Sequence, residues 1–197
     1  MSQGRAGGDR GRKIVLALGS NLGDRADILQ GGVDAIAAIP EVQVMAVSAV
    51  YETVPVGGPP QPDYLNAVLV ARTTLPSAVL LGRVHEVEAA FDRVREVRWG
   101  PRTLDIDIIT VEGERSDDPV LTLPHPRAHE RAFVLGPWHD ADPEAVLPGH
   151  GRVADLLANL PAPERSGIRR SAFAVTVPGS DTVPGIPAVP GSDTEPA

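Results

Sequence analysis

Arg98-Trp99-Gly100-Pro101-Arg102-Thr103-Leu104-Asp105-Ile106-Asp107-Ile108-Ile109 joins an arginine-rich loop to a segment that alternates apolar and acidic residues. A period of two predicts a strand, so Asp105 and Asp107 project from one face, ~6.6 Å apart along the backbone. Taken alone, this pattern is more often that of a half-buried strand with its aspartates in water. The neighbouring residues change the balance. Gly100-Pro101 sets a turn just ahead of the strand, which holds Arg98 and Arg102 close to the carboxylates. Arg93, Arg95, Arg98 and Arg102 crowd one short segment and repel one another unless an anion lies between them. Paired carboxylates suit a hard cation such as Mg²⁺, which shares its oxygen ligands with substrate phosphates. Planar guanidinium forks suit phosphate oxygens. Together these groups describe a place where phosphoryl groups are moved.

Working outward, Ile14-Val15-Leu16-Ala17-Leu18 reads as a buried strand, and Gly19-Ser20-Asn21-Leu22-Gly23-Asp24 as a turn into a helix over about 26–39, with Asp24 as N-cap. That glycine turn matches neither the dinucleotide nor the P-loop spacing, so a tight connection explains it more readily than a phosphate cradle. A valine-rich alternation predicts a strand over 42–54. The proline-rich stretch from Pro55 to Asp63 can join neither helix nor ladder. A strand over 64–73 and a helix from Pro76 to about Arg93 follow, then the aspartate strand, and helices over 128–138 and 153–160. This order predicts an α+β fold with a ferredoxin-like βαββαβ core: an antiparallel sheet, helices on one face, additional C-terminal helices, and ligands on the uncovered face. The expected organisation is a disordered segment over 1–12, one domain over 13–160, and a flexible tail over 161–197. The tail is rich in proline and glycine, and Val177-Pro178-Gly179-Ser180-Asp181-Thr182 recurs from Val189 to Thr194.

Composition narrows the function classes. The net charge of -8 argues against non-specific nucleic-acid binding, which needs a broad basic surface. With no cysteine there is neither a disulfide framework nor a thiolate metal site. No apolar run approaches a membrane span, and the one near the N-terminus is too short for a signal peptide. A cytoplasmic location is expected, with no nucleic-acid or membrane partner.

Four segments then resemble 6-hydroxymethyl-7,8-dihydropterin pyrophosphokinases of folate biosynthesis. They are Ala17 to Asp24; Tyr51-Glu52-Thr53-Val54-Pro55 with Gln61-Pro62-Asp63-Tyr64-Leu65-Asn66-Ala67; Arg98 to Asp107; and Leu123-Pro124-His125-Pro126-Arg127-Ala128-His129-Glu130-Arg131-Ala132-Phe133-Val134-Leu135. The third is the most specific, and all four occur in order. The resemblance implies a monofunctional enzyme that passes pyrophosphate from ATP to the hydroxymethyl oxygen of the dihydropterin and releases AMP. It implies that Asp105 and Asp107 hold two Mg²⁺ ions, one on the α- and β-phosphates and one on the β- and γ-phosphates. By the same likeness Arg93, Arg95, Arg98 and Arg102 belong to a loop closing over ATP, His125 and Arg131 contact phosphates, and Thr122 contacts the nucleotide. The implied pterin pocket comprises Thr53, Val54, Val56, Tyr64, Asn66 and Phe133, with Trp99 closing over it.

Read without the resemblance, His125 is a turn histidine between prolines, and Tyr64 and Phe133 are ordinary core. Asn66 is harder to explain that way, because an inward amide on a strand needs a partner. Some positions depart from the family pattern. Val54 stands where many members carry proline, Val120 where the enterobacterial form carries arginine, and the Arg95 to Arg98 spacing is one residue shorter than in that form. A monomer is expected, with a dimer left open. Two other classes fit the residues alone: a different Mg²⁺-dependent phosphoryl or nucleotidyl transferase with a non-pterin acceptor, and a non-catalytic anion-sensing module on the same fold.

Overall fold

The computed structural model of the protein describes residues 11–55, 61–91 and 103–179. At its centre lie two long antiparallel strands, β1 (Arg12–Ser20) and β4 (Tyr64–Thr73), paired from Arg12↔Thr73 to Ser20↔Leu65. Their central residues are apolar because side chains there enter a core on each face of the sheet. β5 (Asp105–Val111) flanks β1. β2 (Val42–Val47) and β3 (Tyr51–Thr53) share the other edge of β4, and β10 (Ile168–Arg170) adds to β3. The principal path is β10-β3-β4-β1-β5, antiparallel throughout. Two small hairpins, β6 (Ser116–Asp118) with β7 (Leu121–Leu123) and β8 (Val146–Leu147) with β9 (Gly151–Arg152), stand apart from it.

Strand alternation sorts the side chains into two cores. On one face Leu16, Leu18, Leu69, Ile106 and Ile108 pack with Leu29, Val33 and Ile36 of α1 (Arg25–Ala37) and Leu80 and Val84 of α2 (Ser77–Ala90). Asp24 caps α1, its side chain accepting from Asp27 N at 3.3 Å. On the other face Val15, Val68, Val70 and Ile109 pack with Val134, Leu135 and Trp138 of α3 (Ala132–Ala141) and Val153 of α4 (Val153–Asn159). Leu16 is fully buried in the middle of the first core. Leu16→Ala removes most of that side chain and leaves a cavity, so urea unfolding should show a loss of about 2–5 kcal/mol.

Four expectations are corrected. The strand over 42–54 is two strands, because the chain is interrupted at Ser48: its Oγ accepts the Val68 N–H at 2.9 Å, and Ala49 N donates to Asp140 Oδ2 at 2.7 Å. The helix over 128–138 starts later, since a 3-10 turn (Ala128–Glu130) ends at an extended Arg131 before α3 begins. Helices do not keep to one face: the C-terminal ones cover half of the second, and only the remaining half is open to ligands. Finally, residues 161–179 are not a loose tail. They hold α5 (Ala162–Ser166) and β10, Val175 is 1% exposed in the first core, and Gln30 bonds both ways with the backbone of Thr176 at 2.9 Å. Residues 1–10 and 180–197 lie outside the described residues.

A charge network fastens β10 and the start of α1 to β3. Glu52 accepts from Arg169 Nη2 at 2.8 Å and from Arg25 Nη1 at 3.1 Å, and Arg25 also donates to Asp63 O at 2.6 Å. The Arg169 bond foremost, then that of Arg25, holds the Glu52 carboxyl below its ordinary 4.5. Its folded pKa is depressed, so its contribution is complete above pH ~4.5 and is lost as pH falls through the lower folded value. Unfolding midpoints of the wild type and Glu52→Gln should therefore differ most above about pH 5 and draw together as pH falls through the lowered folded value.

Candidate active site

The open half of the second sheet face is the floor of a cavity of about 540 Å³. Strand register sets out that floor. Thr53 pairs with Tyr64, Gly19 lies between Asn66 and Asp105, and Ala17 is beside Asp107. All seven residues line the cavity. Three inter-strand steps from β3 to β5 give the floor a width of roughly 14 Å. At one end stand carboxylates; at the other, a buried amide and an aromatic ring.

At the acidic end, Asp105 and Asp107 lie on the same face of β5, with Ile106 and Ile108 turned into the opposite core. An imidazole and a guanidinium approach from the segment that leads into α3. His125 N donates to Ile109 O at 2.8 Å, which hooks the Pro124–Pro126 turn onto β5. His125 Nε2 is then 3.9 Å from Asp107 Oδ2, and Arg131 Nη1 donates to the same oxygen at 3.4 Å. Burial lowers the His125 pKa from 6.5, with Asp107 opposing and Arg131 reinforcing the shift. The ring is therefore neutral at neutral pH. Its Nδ1 accepts the Arg127 N–H at 3.2 Å, so the single ring proton sits on Nε2 and is presented toward Asp107 and the cavity. Burial also lowers the Arg131 pKa, Asp107 opposing; a guanidinium stays charged regardless. Arg127 and Glu130 at the rim pair at 2.6 Å.

The described lining holds four carboxylates (Asp105, Asp107, Glu130, Glu164) against two guanidinium groups (Arg127, Arg131). An acidic cavity repels a polyphosphate unless cations accompany it. Among the described residues no three His, Cys, Asp or Glu side chains gather into a complete cage. Two carboxylates in an acid-rich cleft are nonetheless what Mg²⁺ takes from protein, its other ligands being water and substrate phosphate. The donor set fits.

At the far end, Asn66 is 6% exposed and its Nδ2 donates to Thr53 Oγ1 at 2.9 Å. Its Oδ1 faces Gly19, where a Cβ would come within 3.2 Å. The Tyr64 hydroxyl donates to Gln61 Oε1 at 3.3 Å, and Asn21 Nδ2 donates to the same oxygen at 2.9 Å. Phe133, in the first turn of α3, enters from above with the Arg131 guanidinium 5.5 Å from its ring centre. Leu160, Pro161 and Glu164 complete the roof.

The cavity thus collects Thr53, Val54, Tyr64, Asn66, Asp105, Asp107, His125, Arg131 and Phe133. Thr122 is elsewhere: it pairs with Asp117 in the β6–β7 hairpin, its hydroxyl donates to Asp118 O at 3.0 Å, and it is not part of the lining. Val56, Arg93, Arg95, Arg98, Trp99 and Arg102 lie outside the described residues. Gly19, Gln61, Arg127, Glu130 and Glu164 line the cavity although sequence reasoning gave them no role. Gln61 and Arg127 stood within the quoted motifs, but Glu164 carried no local signal at all.

Comparison with known proteins identifies the family. Residues 15–143 match the family model described as 7,8-dihydro-6-hydroxymethylpterin-pyrophosphokinase. A Methylorubrum extorquens protein named 2-amino-4-hydroxy-6-hydroxymethyldihydropteridine pyrophosphokinase is 45% identical over 158 residues, 80% of this chain and 98% of its own. A Mycobacterium leprae protein of the same name is 42% identical over 195 residues, 92% of this chain and 99% of its own. Among solved structures, a Plasmodium falciparum HPPK-DHPS triple mutant superposes with a TM-score of 0.60 at 14% identity, over 84% of this chain. That likeness concerns the fold, and the chain spans about half (48%) of the solved one. With the family model matching most of the chain and relatives aligned nearly end to end, the chain belongs to the 7,8-dihydro-6-hydroxymethylpterin-pyrophosphokinase family.

Proposed function

We propose that the family's reaction, transfer of pyrophosphate from ATP to the hydroxymethyl oxygen of 6-hydroxymethyl-7,8-dihydropterin, takes place in this cavity, with the heterocycle over β3 and β4 and the triphosphate over β5. The observation that carries it is the single floor joining a carboxylate pair to a buried amide and an aromatic ring. The pterin is flat and edged with donors and acceptors. Phe133 and Tyr64 suit its faces, and the fixed Oδ1 of Asn66 suits a ring N–H. In that pose the hydroxymethyl group points across Gly19, which has no side chain to block it, toward Asp105 and Asp107.

The hydroxymethyl oxygen bonds to the β-phosphorus while the bond from that phosphorus to the α–β bridging oxygen breaks. AMP leaves and the hydroxyl proton is released. Asp105 and Asp107 would hold Mg²⁺, two ions in our reading, which when bound offsets phosphate charge and fixes the phosphoryl group for in-line attack. His125 offers its Nε2–H and Arg131 its guanidinium to phosphate oxygens; the Arg127 N–H already holds the one and Asp107 the other, so little reordering is needed when ATP arrives. Partial burial at this end strengthens those contacts relative to water.

The sheet order β5-β1-β4-β3 also supports the ferredoxin-like description of the core. No helix among the described residues is long and apolar enough to cross a membrane. We place the enzyme in the cytoplasm, a reading supported by the folate-pathway substrate and by the absence of cysteine from the sequence, and take it to act as a monomer.

The test is product analysis with purified protein, ATP, MgCl₂ and the pterin alcohol. AMP and pterin diphosphate should form in equal amounts, and AMP only when the pterin is present. Chelation of divalent cations with EDTA should stop the reaction and excess Mg²⁺ should restore it. ADP, free pyrophosphate, or AMP formed without pterin would overturn the assignment.

A further inference from the structure

We infer that Glu164 is a specificity-determining residue, its carboxylate receiving the amino-bearing edge of the bound heterocycle; this rests on the proposed function. Three observations place it there. Glu164 lines the cavity, on α5, whose C-terminal turn leads straight into β10, and β10 sets Ile168 opposite Thr53. Glu164 therefore belongs to the end of the cavity away from Asp105 and Asp107, with Thr53, Tyr64 and Asn66. The turn that carries it is fixed, because Gly167 N donates to Pro163 O at 2.9 Å and to Glu164 O at 3.3 Å. Its charge is also uncommitted. Asp107 meets Arg131 and Glu130 meets Arg127, whereas the half-buried Glu164 side chain makes no hydrogen bond or ion pair among the described residues.

Substrate chemistry supplies the partner. The relatives' name puts an amino group on carbon 2 and the hydroxymethyl group on carbon 6, at opposite ends of the fused ring. With the hydroxymethyl end turned to β5, the amino group and the adjacent ring N–H turn toward β3, β10 and α5. Two parallel N–H donors match the two oxygens of one carboxylate, a charge-assisted pairing that also favours this edge over one bearing a second carbonyl. Thr53 and Asn66 bond each other, and the Asn66 Oδ1 offers one neutral acceptor to the same end of the ring. Glu164 adds the only charged acceptor that the described lining places there.

The experiment measures binding of 6-hydroxymethyl-7,8-dihydropterin, and of its 2-oxo analogue, to full-length wild type, Glu164→Gln and Glu164→Ala, each with Mg²⁺ and a non-hydrolysable ATP analogue. Glu164→Gln keeps size and should fold as wild type. The expected result is a loss of pterin affinity of about tenfold in both variants, unchanged affinity for the ATP analogue, and a narrowed preference for pterin over the 2-oxo compound. Pterin affinity within twofold of wild type, or equal weakening of pterin and ATP analogue, overturns the inference while leaving the functional assignment standing. Failure of the wild type itself to bind the pterin overturns both.

Discussion

Asp107→Ala should lower turnover on the order of 10³-fold, the scale of removing one pre-set electrostatic contact to a reacting phosphoryl group. Asp107 does two things at once. In the proposed reaction it would offer an oxygen to Mg²⁺, and the same carboxylate accepts from Arg131 (3.4 Å) and faces His125 (3.9 Å). Alanine leaves a partly buried guanidinium without its nearest carboxylate, although Asp105 still favours the charged form. Some loss of stability is therefore expected as well. Asp107→Asn separates the two effects, since it preserves size and an acceptor for Arg131 but removes the charge. Turnover of both variants should fall together, while the unfolding midpoint of the asparagine variant stays close to that of wild type. Activity of either variant within tenfold of wild type, with Mg²⁺ saturating, would sink the role assigned to this carboxylate.

The second large effect is expected at a residue with no chemistry of its own. Gly19→Val should reduce turnover by about 10²-fold, the cost of displacing reacting groups by an ångström or so. Gly19 lies between Asn66 and Asp105 on the cavity floor, and its Cβ would meet Asn66 Oδ1 at 3.2 Å and Tyr64 Cδ1 at 3.7 Å. A branched side chain raises the floor along the line from the proposed pterin site to the proposed phosphate site. It should not unfold the protein, because valine suits a strand and the residue is in ordinary extended pairing. Gly19→Ala should show a smaller fall in the same direction. The check is single-turnover kinetics beside separate binding of pterin and ATP analogue: the rate of chemistry should fall further than either affinity. A loss confined to ATP affinity would contradict this account.

Much of this was legible in the order of the residues. The alternation at Asp105 and Asp107 set both acids on one face, and Asp24 marked the start of α1. What escaped did so for physical reasons. Ser48 breaks the 42–54 alternation through a side-chain bond to Val68, a partner twenty residues away that no local pattern announces. β10 is short and half exposed, so Ile168-Arg169-Arg170 carries neither an apolar run nor a clear alternation. It is a strand because Thr53, Glu52 and Tyr51 lie opposite. Glu164 was missed for the same reason, since its place at the cavity depends on that pairing. Gly19 read as part of a turn, and only its register against Asn66 and Asp105 shows what its missing side chain leaves open.

The late arrival of β10 has a consequence for how the molecule is made. Synthesis runs from the N-terminus, so β3 emerges more than a hundred residues before the strand that flanks it, and Val175 enters the first core later still. A nascent chain therefore carries an unpaired sheet border and an incomplete core until nearly all of the domain has left the ribosome, and a transcript cut short near codon 165 would yield a protein with that border permanently bare.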